Sequence, residues 1–155
     1  MKKVALILHD IRSLHNVGSA FRTADAAGVD TIYLTGYTPS PIDRFHRPVQ
    51  EIAKVALGAE KTIPWKKCSI EECFTELKKD GYQIVAVEQH ESSIDYKDVE
   101  IIYPVAFIFG NEVGGVPEEI IQQVDVVAEI PMHGDKESLN VSVALGVALF
   151  RMLGK

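Results

Sequence analysis

The chain is short of cysteine, of basic charge and of long apolar runs, and each shortage removes a class of protein. Only two of its 155 residues are cysteine, Cys68 and Cys73, with four residues between them. That spacing fits neither a disulfide framework nor a zinc site, so both read as reduced structural thiols. His9, His15, His46, His90 and His133 show no ligand spacing, and no metal is expected. The longest apolar stretch, residues 141–153, is shorter than the roughly 20 residues of a membrane span and is broken by Ser142, Gly146 and Arg151. Sixteen Lys and Arg against 22 Asp and Glu leave a formal charge of −6, which taken alone argues against a nucleic-acid partner. The opening Met1-Lys2-Lys3 and apolar Val4 to Leu8 resemble a secretory signal, but Asp10 and Arg12 stand where a cleavage site needs small residues. This stretch reads as a first strand, and the protein as cytoplasmic.

What is present is ordinary for a globular chain: 46% hydrophobic, 25% charged and 8% aromatic residues, read as one domain over residues 1–155. The charge is unevenly spread. Residues 1–54 carry seven Lys or Arg against five Asp or Glu, while residues 55–155 carry nine against seventeen. Arg12, Arg22, Arg44 and Arg47 all lie in the first third, which is either a local phosphate-contacting surface or ordinary scatter.

Short apolar runs alternate with helical patterns. Strands are expected at Val4–Leu8, Thr31–Leu34, Thr62–Ile63, Tyr82–Val87, Val105–Phe109 and Val126–Ile130. Helices are expected at Asn16–Ala27, stopped by Gly28, and at Val49–Leu57, after a proline-bounded loop over Gly36–Pro48. A further helix opens at Ser69, in a capping box with Glu72, and closes at Gly81. An acidic loop, Glu88–Glu100, a short helix beginning with Pro117, and a last helix from about Leu139 to Leu153 complete the series. The alternation implies an α/β fold, a mostly parallel sheet with helices on both faces. The last helix has almost no polar face, so it is either interior to the monomer or part of a homodimer interface.

Three segments are richer in glycine and polar residues than connections require. In Asn16-Val17-Gly18-Ser19-Ala20-Phe21-Arg22, Asn16 suits an N-cap, and Gly18 suggests close approach of another group. Arg22 can pair with Asp25 or offer a forked donor to phosphate or a developing oxyanion. Phe109 to Pro117 holds three glycines and Glu112 directly after a strand, where open α/β sheets bind ligands. It matches neither the dinucleotide fingerprint nor a P-loop. Ile130 to Ser142 places Ser138 as a candidate N-cap and Asn140 on an otherwise apolar helix, where its amide needs a partner.

In this order the three segments resemble the SpoU (TrmH-type) branch of the SPOUT methyltransferases, over nearly the whole chain: N-x-G-x-x-x-R as Asn16, Gly18 and Arg22, G-x-E-x-x-G as Gly110, Glu112 and Gly115, and Ile130 to Ser142. The resemblance implies a C-terminal trefoil knot, bound S-adenosylmethionine (AdoMet), a homodimer, and methyl transfer to a ribose 2′-hydroxyl of RNA, tRNA being favoured over rRNA. Carried over, Asn16, Arg22, Glu112, Ser138 and Asn140 form the catalytic set. Val87, Phe109, Gly110, Ile130, Met132, Ser138 and Leu139 line the cofactor site. Arg12, Arg44 and Arg47 are candidates for RNA contact, the last two flanking Phe45 and His46 in a loop that is otherwise simply solvated. Arg22 serves either as a literal base or as a cation stabilising the nascent alkoxide. A non-catalytic RNA-binding dimer of the same fold and a Rossmann-type oxidoreductase are the rival readings.

Overall fold

A computed structural model describes residues 2–155. Seven strands form one sheet: β1 (Val4–His9), β2 (Thr31–Thr35), β3 (Trp65–Lys67), β4 (Gln83–Val87), β5 (Ile94–Asp95), β6 (Val105–Phe109) and β7 (Val126–Glu129), in the order β3-β2-β1-β6-β4-β7-β5. All six pairings are parallel. The central strands are buried along their length, as a sheet covered on both faces requires.

Alternate residues of β1 divide the core. Val4, Leu6 and Leu8 join one apolar cluster with α1 (Leu14–Ala27), α2 (Gln50–Ala56), α3 (Ala59–Thr62) and α6 (Val141–Met152). Ala5 and Ile7 join another with α4 (Ile70–Lys79) and α5 (Glu118–Ile121). Period-2 alternation thus sends each strand's side chains into two separate layers. Gly18 explains how tightly one layer is packed: a Cβ there would lie 2.7 Å from the Ile52 carbonyl oxygen and 2.9 Å from Val55 Cβ. The group that approaches Gly18 is helix α2.

Several expected boundaries shift. Asn16 is not the cap of α1. Ser13 is, its hydroxyl accepting the Asn16 N–H at 3.1 Å, and Asn16 is buried inside the first turn. Nor does Ser138 cap α6. Asn140 Oδ1 accepts from the Ser142 N–H at 2.9 Å and from its hydroxyl at 2.6 Å, so the helix opens two residues later. Thr62–Ile63 is not a strand, because Gly58 at φ +96° starts one helical turn at Ala59, and the edge strand follows at Trp65. Pro117 flanks α5 rather than beginning it, and the acidic loop contributes edge strand β5 and a 3-10 turn at Tyr96–Asp98. The capping box of Ser69 and Glu72 is present as expected. Both cysteines are free, and Cys73 is buried. No helix among the described residues is long and apolar enough to cross a membrane.

Candidate functional site

The strand order reverses at β1 and β6: the chain runs from β1 outward to β2 and β3, then crosses back to the other half of the sheet. Crevices at the carboxyl ends of strands flanking such reversals are where open α/β sheets bind ligands. Here the turn after β6 fills that position. Asn111 and Gly115 exchange two backbone hydrogen bonds, 3.2 and 2.9 Å, and Asn111 Oδ1 accepts from the N–H groups of Val113 and Gly114, both at 2.9 Å. Glycine is required twice. A Cβ on Gly110 would overlap the Gly115 backbone, and Gly115 combines φ +67° with the Glu88 carboxylate pressed against its Cα. Glu88 Oε2 in turn accepts the Val116 N–H at 2.9 Å.

Between this turn, the ends of β4 and β7 and the entry to α6 lies a cleft of about 320 Å³. All seven residues expected at the cofactor site line it: Val87, Phe109, Gly110, Ile130, Met132, Ser138 and Leu139. Phe109 and Val87 are buried and form its floor side, whereas Leu139 is 39% exposed at the rim. The charged residues among those lining it are all acidic, Glu88, Glu112 and Glu137. The cleft therefore suits a ligand with an apolar body and a positive charge.

Glu112 joins the cleft to helix α1. Its carboxylate accepts from the backbone N–H of Arg12 at 3.2 Å and of Ser13 at 3.1 Å, and from Asn16 Nδ2 at 3.4 Å. An anion at a helix N-terminus is favoured by the unpaired amides there. Partial burial alone would raise the Glu112 pKa. The hydrogen bonds from backbone and Asn16 outweigh it and hold the carboxyl below its usual value. Asn16 is thereby oriented beside the glycine turn.

The remaining predicted residues lie apart. Arg22, exposed on α1, borders a separate surface cleft with Asp25, Leu57, Gly58 and Thr62, and it forms no ion pair with Asp25. Asn140 caps α6 just outside the residues lining the cleft. The Arg12 guanidinium lies 5.7 Å from the Tyr37 ring centre. Arg44 and Arg47 each lie 4.8 Å from the ring centre of Phe45, itself 59% exposed, and Arg47 also pairs with Asp43. Sequence reasoning missed Glu88 and Asn111. Glu88 had a usable signal, an acid directly after the apolar run of a central strand.

Comparison with known proteins agrees with this geometry. The model of the SpoU rRNA Methylase family matches residues 3–150. A putative TrmH family tRNA/rRNA methyltransferase of Staphylococcus saprophyticus is 34% identical over 97% of this chain. An AdoMet-bound rRNA methyltransferase of Sinorhizobium meliloti superposes with a TM-score of 0.88 at 31% identity over 97% of this chain. A TrmH/SpoU tRNA modifying enzyme of A. aeolicus gives 0.83 at 29% over 98%. The chain spans 58%, 55% and 74% of these three proteins, respectively.

Proposed function

Because the chain belongs to the SpoU rRNA Methylase family, we propose that it is an AdoMet-dependent methyltransferase acting on a ribose 2′-hydroxyl of RNA, with tRNA as the favoured substrate. The observation that carries this reading is the cleft after β6, where a turn that excludes side chains at Gly110 and Gly115 meets apolar walls and solely acidic charge. Val87, Phe109, Gly110, Ile130, Met132, Ser138 and Leu139 would hold AdoMet, through backbone groups and apolar contact. When bound, AdoMet supplies a methyl group on a cationic sulfur, an electrophile that a hydroxyl oxygen can take in line.

The chain's own residues do the rest. Phe109, Ile130 and Leu139 keep water out, and the carboxylates of Glu88 and Glu137 favour a cation in the cleft. Glu112 fixes Asn16 beside the glycine turn, where its amide would help position the incoming ribose, and Ser138 lines the cleft with Asn140 just outside it. Positioning of this kind contributes several kcal/mol to a bimolecular transfer. Arg22 acts as a cation that stabilises the forming alkoxide and the adjacent phosphate. The delocalised guanidinium has no free lone pair to accept the hydroxyl proton, which passes to solvent water as the new carbon–oxygen bond forms and the methyl–sulfur bond breaks.

Arg22 does not border the cleft within one chain, so the reading requires a second copy to supply it. The unpartnered apolar residues support a homodimer: Val143 is 50% exposed and Val147 38% on α6, and Leu57 is 65% exposed beside Arg22. A trefoil knot in the C-terminal segment that carries the cleft's rim belongs to the same reading. The test is incubation with methyl-labelled AdoMet and separated tRNA and rRNA fractions, followed by digestion to nucleosides. Label in 2′-O-methylribose of the tRNA fraction is expected. Label in a base, in rRNA alone or in no fraction contradicts the proposal at the corresponding level.

A further inference from the structure

Tyr37 has no role in anything derived so far, yet it is an exposed aromatic bonded to Asn111, which lines the cleft. It follows β2 in the loop that faces the glycine turn and is 52% exposed. Its backbone N–H donates to Asp10 Oδ1 at 3.0 Å, and its hydroxyl oxygen accepts from Asn111 Nδ2 at 2.8 Å. The same amide nitrogen donates to the Asp10 carbonyl at 2.9 Å, while Asn111 Oδ1 orders the glycine turn. Gly36, at φ +62°, leaves no room for a side chain, since a Cβ there would overlap the Asp10 carboxylate that holds the Tyr37 N–H. The ring is thus anchored at both ends and cannot fold inward, although burial would be its cheaper state.

One cation lies over the ring and a second braces its loop. The Arg12 guanidinium lies 5.7 Å from the ring centre, and the Lys67 ammonium donates to the carbonyls of Gly36 at 2.5 Å and Thr38 at 2.7 Å in the same loop. Arg12 is tied by its own backbone N–H to Glu112. A rigid, half-exposed ring with a guanidinium over one face is an arrangement on whose other face an unpaired nucleobase can stack while the cation takes a neighbouring phosphate.

The geometry points to Tyr37, with Arg12, as a stacking platform for an unpaired base of the RNA substrate, held in register with the cofactor turn by Asn111. This rests on the RNA reading above and adds to it the subsite that grips a base. Asn111 makes the two sites one rigid unit, so a base stacked on Tyr37 is placed at a fixed distance from the cleft.

Two measurements test the platform separately from the reaction. In methyl transfer to the tRNA fraction, Tyr37→Leu should raise KM for RNA about fivefold or more, the cost of one lost stacking contact, with kcat and AdoMet affinity close to wild type. Tyr37→Phe and Tyr37→Trp, which keep a π-face but lose the bond to Asn111, should hold KM for RNA well below that of Tyr37→Leu, short of wild type by what that bond contributes to ordering the ring. In direct binding, quenching of a single-stranded RNA containing 2-aminopurine should persist in Tyr37→Phe and fall in Tyr37→Leu. Unchanged KM and quenching in Tyr37→Leu overturn the proposal, as does a Tyr37→Phe protein that behaves like Tyr37→Leu. A wild-type chain that quenches the probe in this pattern but methylates nothing overturns the reaction assigned above and leaves the platform standing.

Discussion

Replacing Glu112 by Gln keeps the shape of the side chain and removes the charge that fastens the glycine turn to helix α1. In the native protein this carboxylate accepts from four donors at 3.1 to 3.5 Å, the backbone N–H groups of Arg12 and Ser13 and the side-chain amides of Asn16 and Asn111. Those distances are longer than the usual charge-assisted range of roughly 2.7 to 2.9 Å, so each contact belongs at the weak end of its class. A carboxylate at a helix N-terminus contributes about 0.3 to 1 kcal/mol when exposed, and Gln retains one acceptor. A total loss of about 1 to 2 kcal/mol at neutral pH follows, which for a domain of this size lowers Tm by roughly 2 to 8 °C. The pH dependence identifies the cause. Because the folded-state pKa of Glu112 lies below its ordinary value of 4.5, the unfolded chain takes up the proton first as pH falls. The stabilisation is complete above that ordinary value and disappears as pH drops through the folded one. Thermal melts followed by far-UV circular dichroism should show wild type above Glu112→Gln at pH 7 and the gap closing on acidification. A gap that is absent at pH 7, or the same size at both extremes, refutes the argument that an ionised carboxylate holds this junction.

Gly18→Ala should destabilise although alanine is the better helix former: the gain of about 1 kcal/mol in propensity is offset by overpacking of roughly 1 to 3 kcal/mol, since the new Cβ meets the Ile52 carbonyl at 2.7 Å. Urea denaturation checks it, and an unchanged or higher midpoint counts against the close α1–α2 contact. Arg22→Ala should abolish methyl transfer and leave AdoMet affinity nearly intact by calorimetry, because Arg22 does not border the cofactor cleft. A large loss of affinity would move it to the cofactor's own shell. Val147→Asp, on the exposed face of α6, should convert the proposed dimer to monomer in sedimentation and lose activity with it. An active monomer contradicts the shared site.

Much of the fold was legible in the residues. Strand β1 reads as a buried apolar run and is one, and the Ser69 capping box fixes the start of α4 through two local hydrogen bonds that need no tertiary partner. The glycine turn after β6 was likewise visible, because Gly110 faces the Gly115 backbone and Gly115 takes a positive φ, although the Glu88 carboxylate against Gly115 is remote in sequence. Local reasoning failed where a distant group decides. Asn16 has the chemistry of a cap, but Glu112, remote in sequence, accepts the N–H groups of Arg12 and Ser13, and with Ser13 as the cap the helix starts earlier and buries Asn16. Ser138 and Asn140 offered equal capping chemistry, and only the path of the chain into α6 separates them. Tyr37 and Asn111 carried no signal, since their partnership joins residues 74 positions apart across two strand ends.

The central claim is that the cleft between the ends of β4, β6 and β7 accepts AdoMet, and titration calorimetry on the natively folded chain tests it most directly. Saturable heat at one AdoMet per chain, lost in Gly110→Val, whose added side chain would overlap the Gly115 backbone, is the predicted result. A folded protein that gives no heat with AdoMet, or that binds it equally well after Gly110→Val, contradicts the account.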